Sequence, residues 1–390
     1  MLLALTIVTS FSLLAWVFVL MAAADNWSKE PKIDAYTYPG PPVPAPPLSV
    51  IIPARNERAS ISECLDAVLA QDYPSFEVIV VDDRSEDGTP EVVEEYCRRD
   101  GRVRLIRGEP VPPGWAGKCH AIDQGVRAAS GDYLLMLDTD TFLKPRCLSM
   151  AMRDAVEKNV DLYTLIFEAQ CTRFWEKVVQ PLMFQVILLG VPLRAINDPA
   201  RKEAAAPGPF LLFRRSSYEA IGGHAGMRDE VVEDFRLAQK IKESGLRLYV
   251  VNAVSLVYSR RPIGLREIWR GWSRVLYTGL DKNPAVAAGA LLAMAIFMLL
   301  PWLVPPAALW WMATQGFSTA RAALCGLGVA HCAVFVALRK LLHVFYRLDF
   351  SKAWLQPLAT SIAMAMLANS FLVEAFSKPV VWKGRSYRND

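Results

Sequence analysis

The sequence predicts an α/β domain built on a mainly parallel, doubly wound sheet, with membrane segments on either side of it. Three observations carry this. Between residues 48 and 137, short apolar runs alternate with amphipathic stretches, the order of βαβα units. Acidic motifs follow the first, second and fourth of these runs, where an open sheet collects ligands beyond its strand ends. Long uncharged apolar runs lie at residues 2–24 and again beyond Pro284.

In chain order, residues 1–24 read as a transmembrane anchor. A cleaved signal peptide competes, with Ala22, Ala23 and Ala24 as its cleavage site, but no Lys or Arg precedes the run. The first basic residues, Lys29 and Lys32, follow it, so the positive-inside tendency turns the N-terminus outward and the next domain to the cytoplasm. Residues 25–47 form a linker whose prolines, from Pro39 to Pro47, make it extended and semi-rigid. The catalytic domain spans 48–283. Strands are expected at 48–53, 76–81, 103–106 and 133–137, then at 162–167 and 247–251. Ser60 and Glu63 have the spacing of a capping box, opening a helix that turns Ile61, Leu65, Val68 and Leu69 inward. Thr89 followed by Pro90 reads as an N-cap with proline at N1. Helices are expected at 117–129, 146–158 and 231–242.

Residues 174–193 are apolar but broken by Gln180, Pro181, Gln185 and Pro192. Two readings stand, an interfacial amphipathic helix and an ordinary buried one. A second interfacial helix is expected near 264–280. Residues 284–377 hold about three transmembrane helices, the first interrupted by Pro301, Pro305 and Pro306. Arg339, Lys340, Arg347 and Lys352 make the loop between the last two cytoplasmic. The basic tail, 378–390, asks for the same side, and four spans would put it on the other; either one apolar run is re-entrant or the proline-broken run crosses twice.

Composition narrows the function. The 390 residues carry a net charge of only +4 and no basic stripe with interleaved aromatics, which argues against nucleic acid. Hydrophobic residues make up 53% and mean hydropathy is +0.22, concentrated at the two ends as membrane spans require. The seven cysteines are scattered, with no CxxC pair; a reducing compartment fits the soluble part.

The chemistry sits where the strands end. Asp138 and Asp140 close the fourth strand one residue apart. Two hard oxygen donors at i and i+2 suit Mg²⁺ or Mn²⁺, above all a metal already holding a phosphate; an ordinary acidic turn is the competing reading. Acidic groups at neighbouring strand ends repel one another unless a metal, or donors on a base or sugar, gives them partners.

The motifs Val50-Ile-Ile-Pro-Ala-Arg-Asn-Glu57, Val80-Val-Asp-Asp-Arg-Ser-Glu-Asp-Gly-Thr89, Gly117-Lys118 and Leu137-Asp-Thr-Asp140 resemble those of the family-two inverting glycosyltransferases, which have the GT-A fold. The resemblance covers about residues 48–274. It implies a nucleotide-sugar donor, a UDP-sugar first, and a divalent metal, Mg or Mn. It implies that Asp83 contacts the nucleotide base and that Asp138 and Asp140 form the DxD pair, Asp140 being the favoured metal ligand. Pro53, Arg55, Glu57 and Lys118 fall on the donor side. The acidic pair that supplies the catalytic base reads Glu233-Asp234, with Asp234 as the base; without the other motifs it would read as a charged first helical turn.

Membrane-bound members carry a (Q/R)xxRW motif next. Here the segment from Arg266 to Arg274 departs from that spacing. Arg270 and Arg274 are candidates to clamp the diphosphate, and a Trp-rich membrane-surface helix is the equal alternative. Gly114 to Ala121, Gly208-Pro-Phe210, Gly222-Gly223-His224 and Trp382-Lys-Gly-Arg385-Ser-Tyr387 resemble the hopene-associated glycosyltransferases of bacteria, with ceramide and carotenoid glucosyltransferases more distant. That likeness implies a lipid acceptor, a hopanoid among the candidates, with Glu233, Gly223 and His224 on the acceptor side, and a multi-pass protein of the bacterial inner membrane. A structural His in a Gly turn is the plainer reading of His224. A processive polysaccharide synthase and a non-catalytic nucleotide-sugar-binding membrane scaffold are the competing functions.

Overall fold

The computed structural model describes residues 1–34, 40–190, 192–230, 232–260, 263–280, 282–375, 380–382 and 385–387. The chain divides into two compact units. One holds residues 30–170 and 191–261, the other residues 1–29, 171–190 and 262–390.

The first unit is the α/β domain. Its strands are β1 (Leu48–Ala54), β2 (Phe76–Asp82), β3 (Val103–Arg107), β4 (Tyr133–Leu137), β5 (Thr141–Leu143), β6 (Leu162–Ile166), β7 (Glu168–Ala169), β8 (Phe210–Arg214), β9 (Leu248–Asn252) and β10 (Val257–Ser259). The main sheet has the order β3-β2-β1-β4-β8-β6-β9, and a small sheet has the order β5-β10-β7. β1 runs parallel to β2 and β4, β2 to β3, and β6 to β9, as expected for βαβ crossovers. β8 runs antiparallel to both β4 and β6, so the sheet is mixed.

Alternation along the strands explains why both faces are covered. Val50 and Ile52 of β1 and Leu135 and Leu137 of β4 enter one core, packed by the helices Ile61–Leu69 and Cys147–Glu157. Ile51, Leu134 and Met136 point the other way, to a second core closed by the helices Gly117–Ala128 and Glu233–Glu243. The strands therefore read as continuous apolar runs, since each face meets helices.

Two expected helix starts are corrected. Ser60 is the N-cap of its helix but makes no capping bond; its hydroxyl donates to the Glu57 carboxylate at 3.0 Å. Glu63 instead accepts from the Tyr258 hydroxyl and pairs with Arg260, so a tertiary ion pair outcompetes the local box. At the next helix, Thr89–Arg99, the cap is Gly88 and not Thr89. The Thr89 hydroxyl accepts from the Glu57 N–H and donates to Asp87, work that ties two loops together.

The second unit is helical. Among the described residues, four helices are long and apolar enough to cross a membrane: Leu2–Ser28, Pro284–Gln315, Thr319–Tyr346 and Ala353–Val373. The helices Phe174–Gly190 and Leu265–Val275 group with them rather than with the sheet. Val178, Val179, Leu182, Met183, Ile268, Phe335, Ala359, Ala363 and Met366 share one core. The expected proline break takes a specific form. Met294–Leu299 widens into a π-helical turn just before Pro301, and the helix resumes as Leu300–Gln315. Proline lacks the N–H of the regular ladder, and a widened turn accommodates its ring. Lys378, Lys383 and Arg388 of the basic tail lie outside the described residues.

Candidate functional site

The loops that leave β1 and β2 are bound to each other. The Asp83 N–H donates to the Ala54 carbonyl at 2.7 Å, and Arg55 Nη1 donates to the Asp83 carbonyl at 2.9 Å. The Arg55 guanidinium also lies 3.9 Å from the Asp83 carboxylate, which is 7% exposed. The Asn56 N–H donates to Ser85, and Asn56 Oδ1 accepts from the Glu86 N–H. Asn56 and Arg84 both take left-handed backbone, φ 53° and 58°, at the two turns that face each other. Such geometry is uncommon outside glycine and needs this network to hold it. Pro53 lies within β1, opposite Val81.

Asp138 follows β4 directly, and its N–H donates to the Pro209 carbonyl at 3.1 Å. Asp140 lies where the Arg260 N–H meets its carbonyl at 3.0 Å. The buried Cys64 thiol reports how closely the acids gather here. Burial, then the carboxylates of Asp140, Asp138, Glu57 and Glu63, push it far above the usual thiol range. It is no nucleophile. Cys119 is raised in the same way, by burial and then Glu233, and is equally inert.

Lys118 is the hinge of the site. Its ammonium lies 2.9 Å from Asp138 Oδ1 and 2.8 Å from Glu233 Oε1. Burial alone would lower its pKa, but the two carboxylates outweigh that and hold it well above the usual lysine range. Glu233 is buried, which would favour its neutral form; Lys118 reverses this and keeps it ionised. The neighbouring Asp234 goes the other way. Burial, then the Glu233 charge, raise it to about 6, against the opposing pull of Lys118 and the Phe235 N–H. Two adjacent acids pushed apart in this way are a pattern of acid–base sites. They open the helix Glu233–Glu243, whose N-terminus favours carboxylates.

The far side of Asp234 is defined by Gly208. A Cβ there would lie 2.6 Å from Asp234 Oδ2, so only glycine leaves the carboxylate its place. Gly223, at φ 52°, has no room for a side chain against the Tyr218 ring. His224, expected on the acceptor side, is wholly buried, its Nδ1 2.7 Å from the Tyr218 hydroxyl. Burial, against the opposing Glu233 charge and with a smaller push from Lys118, lowers it to about 4, so it stays neutral. Arg270 and Arg274 lie on the helix Leu265–Val275 of the helical unit.

Asp138 and Asp140 supply hard oxygens of the type Mg²⁺ and Mn²⁺ take. Among the described residues, no group of three or more His, Cys, Asp or Glu gathers as a complete cage. Two carboxylates alone leave most of a Mg²⁺ shell to be filled by other oxygens, such as those of a diphosphate and water.

Residues 49–222 match the family model described as "Glycosyl transferase family 2". Over those residues, somewhat under half of the chain, the sequence is similar to family 2 glycosyltransferases. Its fold is that of a solved mannosyltransferase, PcManGT from Pyrobaculum calidifontis, described in complex with GDP-Man and Mn2+. The two align over 97% of this chain and 100% of that one, with TM-score 0.55 and 21% identity. In sequence, the chain is 28% identical over 256 residues to a 4,4'-diaponeurosporenoate glycosyltransferase of Staphylococcus aureus strain bovine RF122 / ET3-1, covering 63% of this chain and 65% of the relative. The same enzyme from strain USA300 is 28% identical over 242 residues, covering 60% and 61%. The chain thus spans less than two thirds of the length of these relatives. They are carotenoid-type enzymes and not specifically hopene-associated ones.

Two features of the α/β domain escaped the sequence. One is the Lys118 bridge from Asp138 to Glu233, which joins residues far apart in the chain. The other is Gly208 behind Asp234. Gly208-Pro-Phe210 stood out only as part of a family likeness, with no role attached.

Proposed function

We propose that this protein is a membrane-bound inverting glycosyltransferase that moves a sugar from a nucleotide-sugar to the hydroxyl of a lipid. The observation that carries the reading is Asp234, an acid raised to about 6 and seated against Gly208 beside the Glu233–Lys118–Asp138 chain. A base of that strength is half or more ionised near neutral pH yet still takes a proton, as general-base catalysis requires.

In this reading Asp234 accepts the acceptor O–H proton as the oxygen attacks the anomeric carbon. The bond from that carbon to the diphosphate breaks, the diphosphate leaves with the electron pair, and the configuration inverts. Asp83 and Arg55 hold the nucleotide side, with Pro53 near the end of β1 and Glu57 in the loop that follows it. Asp138 and Asp140 would hold Mg²⁺ or Mn²⁺, which when bound offsets charge on the leaving diphosphate. Lys118 adds a second cation beside Asp138. The donor is a UDP-sugar in the first instance.

The lipid-like acceptor named for the Staphylococcus aureus relatives supports a lipid acceptor here, and a hopanoid is the second candidate. A hydroxyl needs the base whereas a carboxylate is already deprotonated, so Asp234 favours a hydroxyl. The four apolar helices support a membrane placement, and Lys29 and Lys32, following the first of them, support a catalytic domain on the cytoplasmic side of a bacterial inner membrane. Mass spectrometry of lipids from cells with and without an active copy tests this. A new hexose- or hexosamine-bearing lipid is expected; an unchanged lipid profile, with sugar appearing in a soluble polymer, would overturn it.

A further inference from the structure

The helical unit buries polar groups that the transfer reaction does not use. Arg339, expected in the loop before the last span, lies instead inside the helix Thr319–Tyr346; it is 3% exposed, and its Nη1 has no hydrogen-bond partner among the described residues. One and two turns earlier on the same face lie Phe335 and His331, their rings stacked at 5.4 Å, and neither His331 nitrogen has a partner. On the helix Gln356–Ala375, Gln356 and Thr360 are 1% and 0% exposed, and the Gln356 amide atoms and the Thr360 hydroxyl are unpartnered. Gln185, on Phe174–Gly190, is 0% exposed with both amide atoms unpartnered. These residues flank Phe335, Ala359, Ala363 and Leu182 of a single core, so three helices turn polar side chains inward.

The nearby acids do not meet the Arg339 demand. Asp349 and Cys171 are within its electrostatic reach. The Asp349 carboxylate also faces Lys177 at 4.0 Å and accepts from the Ser351 N–H and hydroxyl at 2.9 and 2.6 Å. Glu176 is taken by the N–H groups of Thr172, Arg173 and Ile263 at 2.7, 3.0 and 2.6 Å. A buried guanidinium left short of partners is costly, and the group that suits its planar fork is a phosphate or carboxylate. An ionisable residue inside a membrane helix bundle points to function before structure.

We propose that Arg339 anchors a seat for the anionic head of a lipid, with Gln356, Thr360, Gln185 and His331 available to its hydroxyl or ester groups. The proposal rests on the membrane reading of these helices and is independent of the transferase reading. Phosphate and carboxylate are the shared chemistry, and the probes separate them.

The test is native mass spectrometry of the full-length protein in nonionic detergent, titrated with phosphatidylglycerol, oleate or phosphatidylcholine. The wild type should retain phosphatidylglycerol, oleate or both at least about tenfold more tightly than phosphatidylcholine, the scale of one charge-assisted hydrogen-bond pair. Phosphatidylglycerol alone would assign a phosphate lipid, and oleate alone a carboxylate lipid. Arg339→Gln should remove the preference, Arg339→Lys should keep part of it, and Arg321→Gln at the other end of the helix should leave it intact. Equal retention of all three probes by the wild type, or an undiminished preference in monodisperse Arg339→Gln, would overturn the proposal. Should Arg339→Gln fail to fold, Asp349→Asn decides. Removing a competing carboxylate must strengthen anionic-lipid retention, whereas a structural Arg339–Asp349 contact predicts no gain.

Discussion

At the scale of single residues, the account turns on Asp234. Its neighbour Glu233 is held ionised by Lys118, and that fixed negative charge helps keep Asp234 protonated up to about pH 6. The sign follows directly: activity should fall as pH drops through about 6, because a protonated base accepts nothing. Glu233→Gln removes the repelling charge, so the acid limb of a kcat profile should move to lower pH; a shift upward would contradict the electrostatic assignment. Asp234→Asn should lower kcat by about 10²–10⁴, the usual weight of a general base, with nucleotide affinity nearly unchanged. Gly208→Ala tests the same point by geometry. Its methyl would meet Asp234 Oδ2 at 2.6 Å and turn the carboxylate aside, so kcat should fall while thermal stability stays near wild type. A Gly208→Ala enzyme of full activity would show that the carboxylate works from another position. The placement of Asp83, Asp138 and Asp140 just beyond strands was legible because an apolar run precedes each. The Lys118–Glu233 contact was not, since no local pattern links position 118 to 233.

At the scale of elements, the parallel half of the sheet was legible because βαβα units announce themselves by alternating period. β8 was not. Phe210–Arg214 is a short apolar run, and its antiparallel pairing depends on partners elsewhere in the chain. The capping box at Ser60 was misread because Arg260, distant in sequence, takes Glu63. Close packing between elements is equally invisible from composition. Gly131 precedes β4, and a Cβ there would lie 2.6 Å from the Ser49 N and 2.8 Å from the Leu48 carbonyl carbon. Backbone cannot swing aside as a side chain does, so Gly131→Ala should destabilise the α/β unit by about 1–3 kcal/mol, as overpacking does. Chemical denaturation of the purified variant measures it, and a value within error of wild type would refute the close approach.

At the scale of the whole molecule, the long apolar helices were legible in the sequence as candidate spans by length and composition. Orientation is a separate matter that charge bias addresses only by tendency. The proposed cytoplasmic placement predicts that a cysteine at Asp100, on the α/β unit, resists an impermeant thiol reagent in intact cells and reacts after permeabilisation; ready labelling of intact cells would reverse the orientation. The central claim, transfer of sugar to a lipid hydroxyl with Asp234 as base, is met most directly by one measurement. Purified protein in lipid vesicles is given a radiolabelled nucleotide-sugar and a divalent metal, and label entering the organic phase is followed for wild type and Asp234→Asn alongside nucleotide binding. The account predicts labelled lipid from wild type, a loss of about 10²–10⁴ in rate for Asp234→Asn, and equal nucleotide binding by both. Lipid labelling by Asp234→Asn at the wild-type rate, or loss of its nucleotide binding together with its activity, would contradict it.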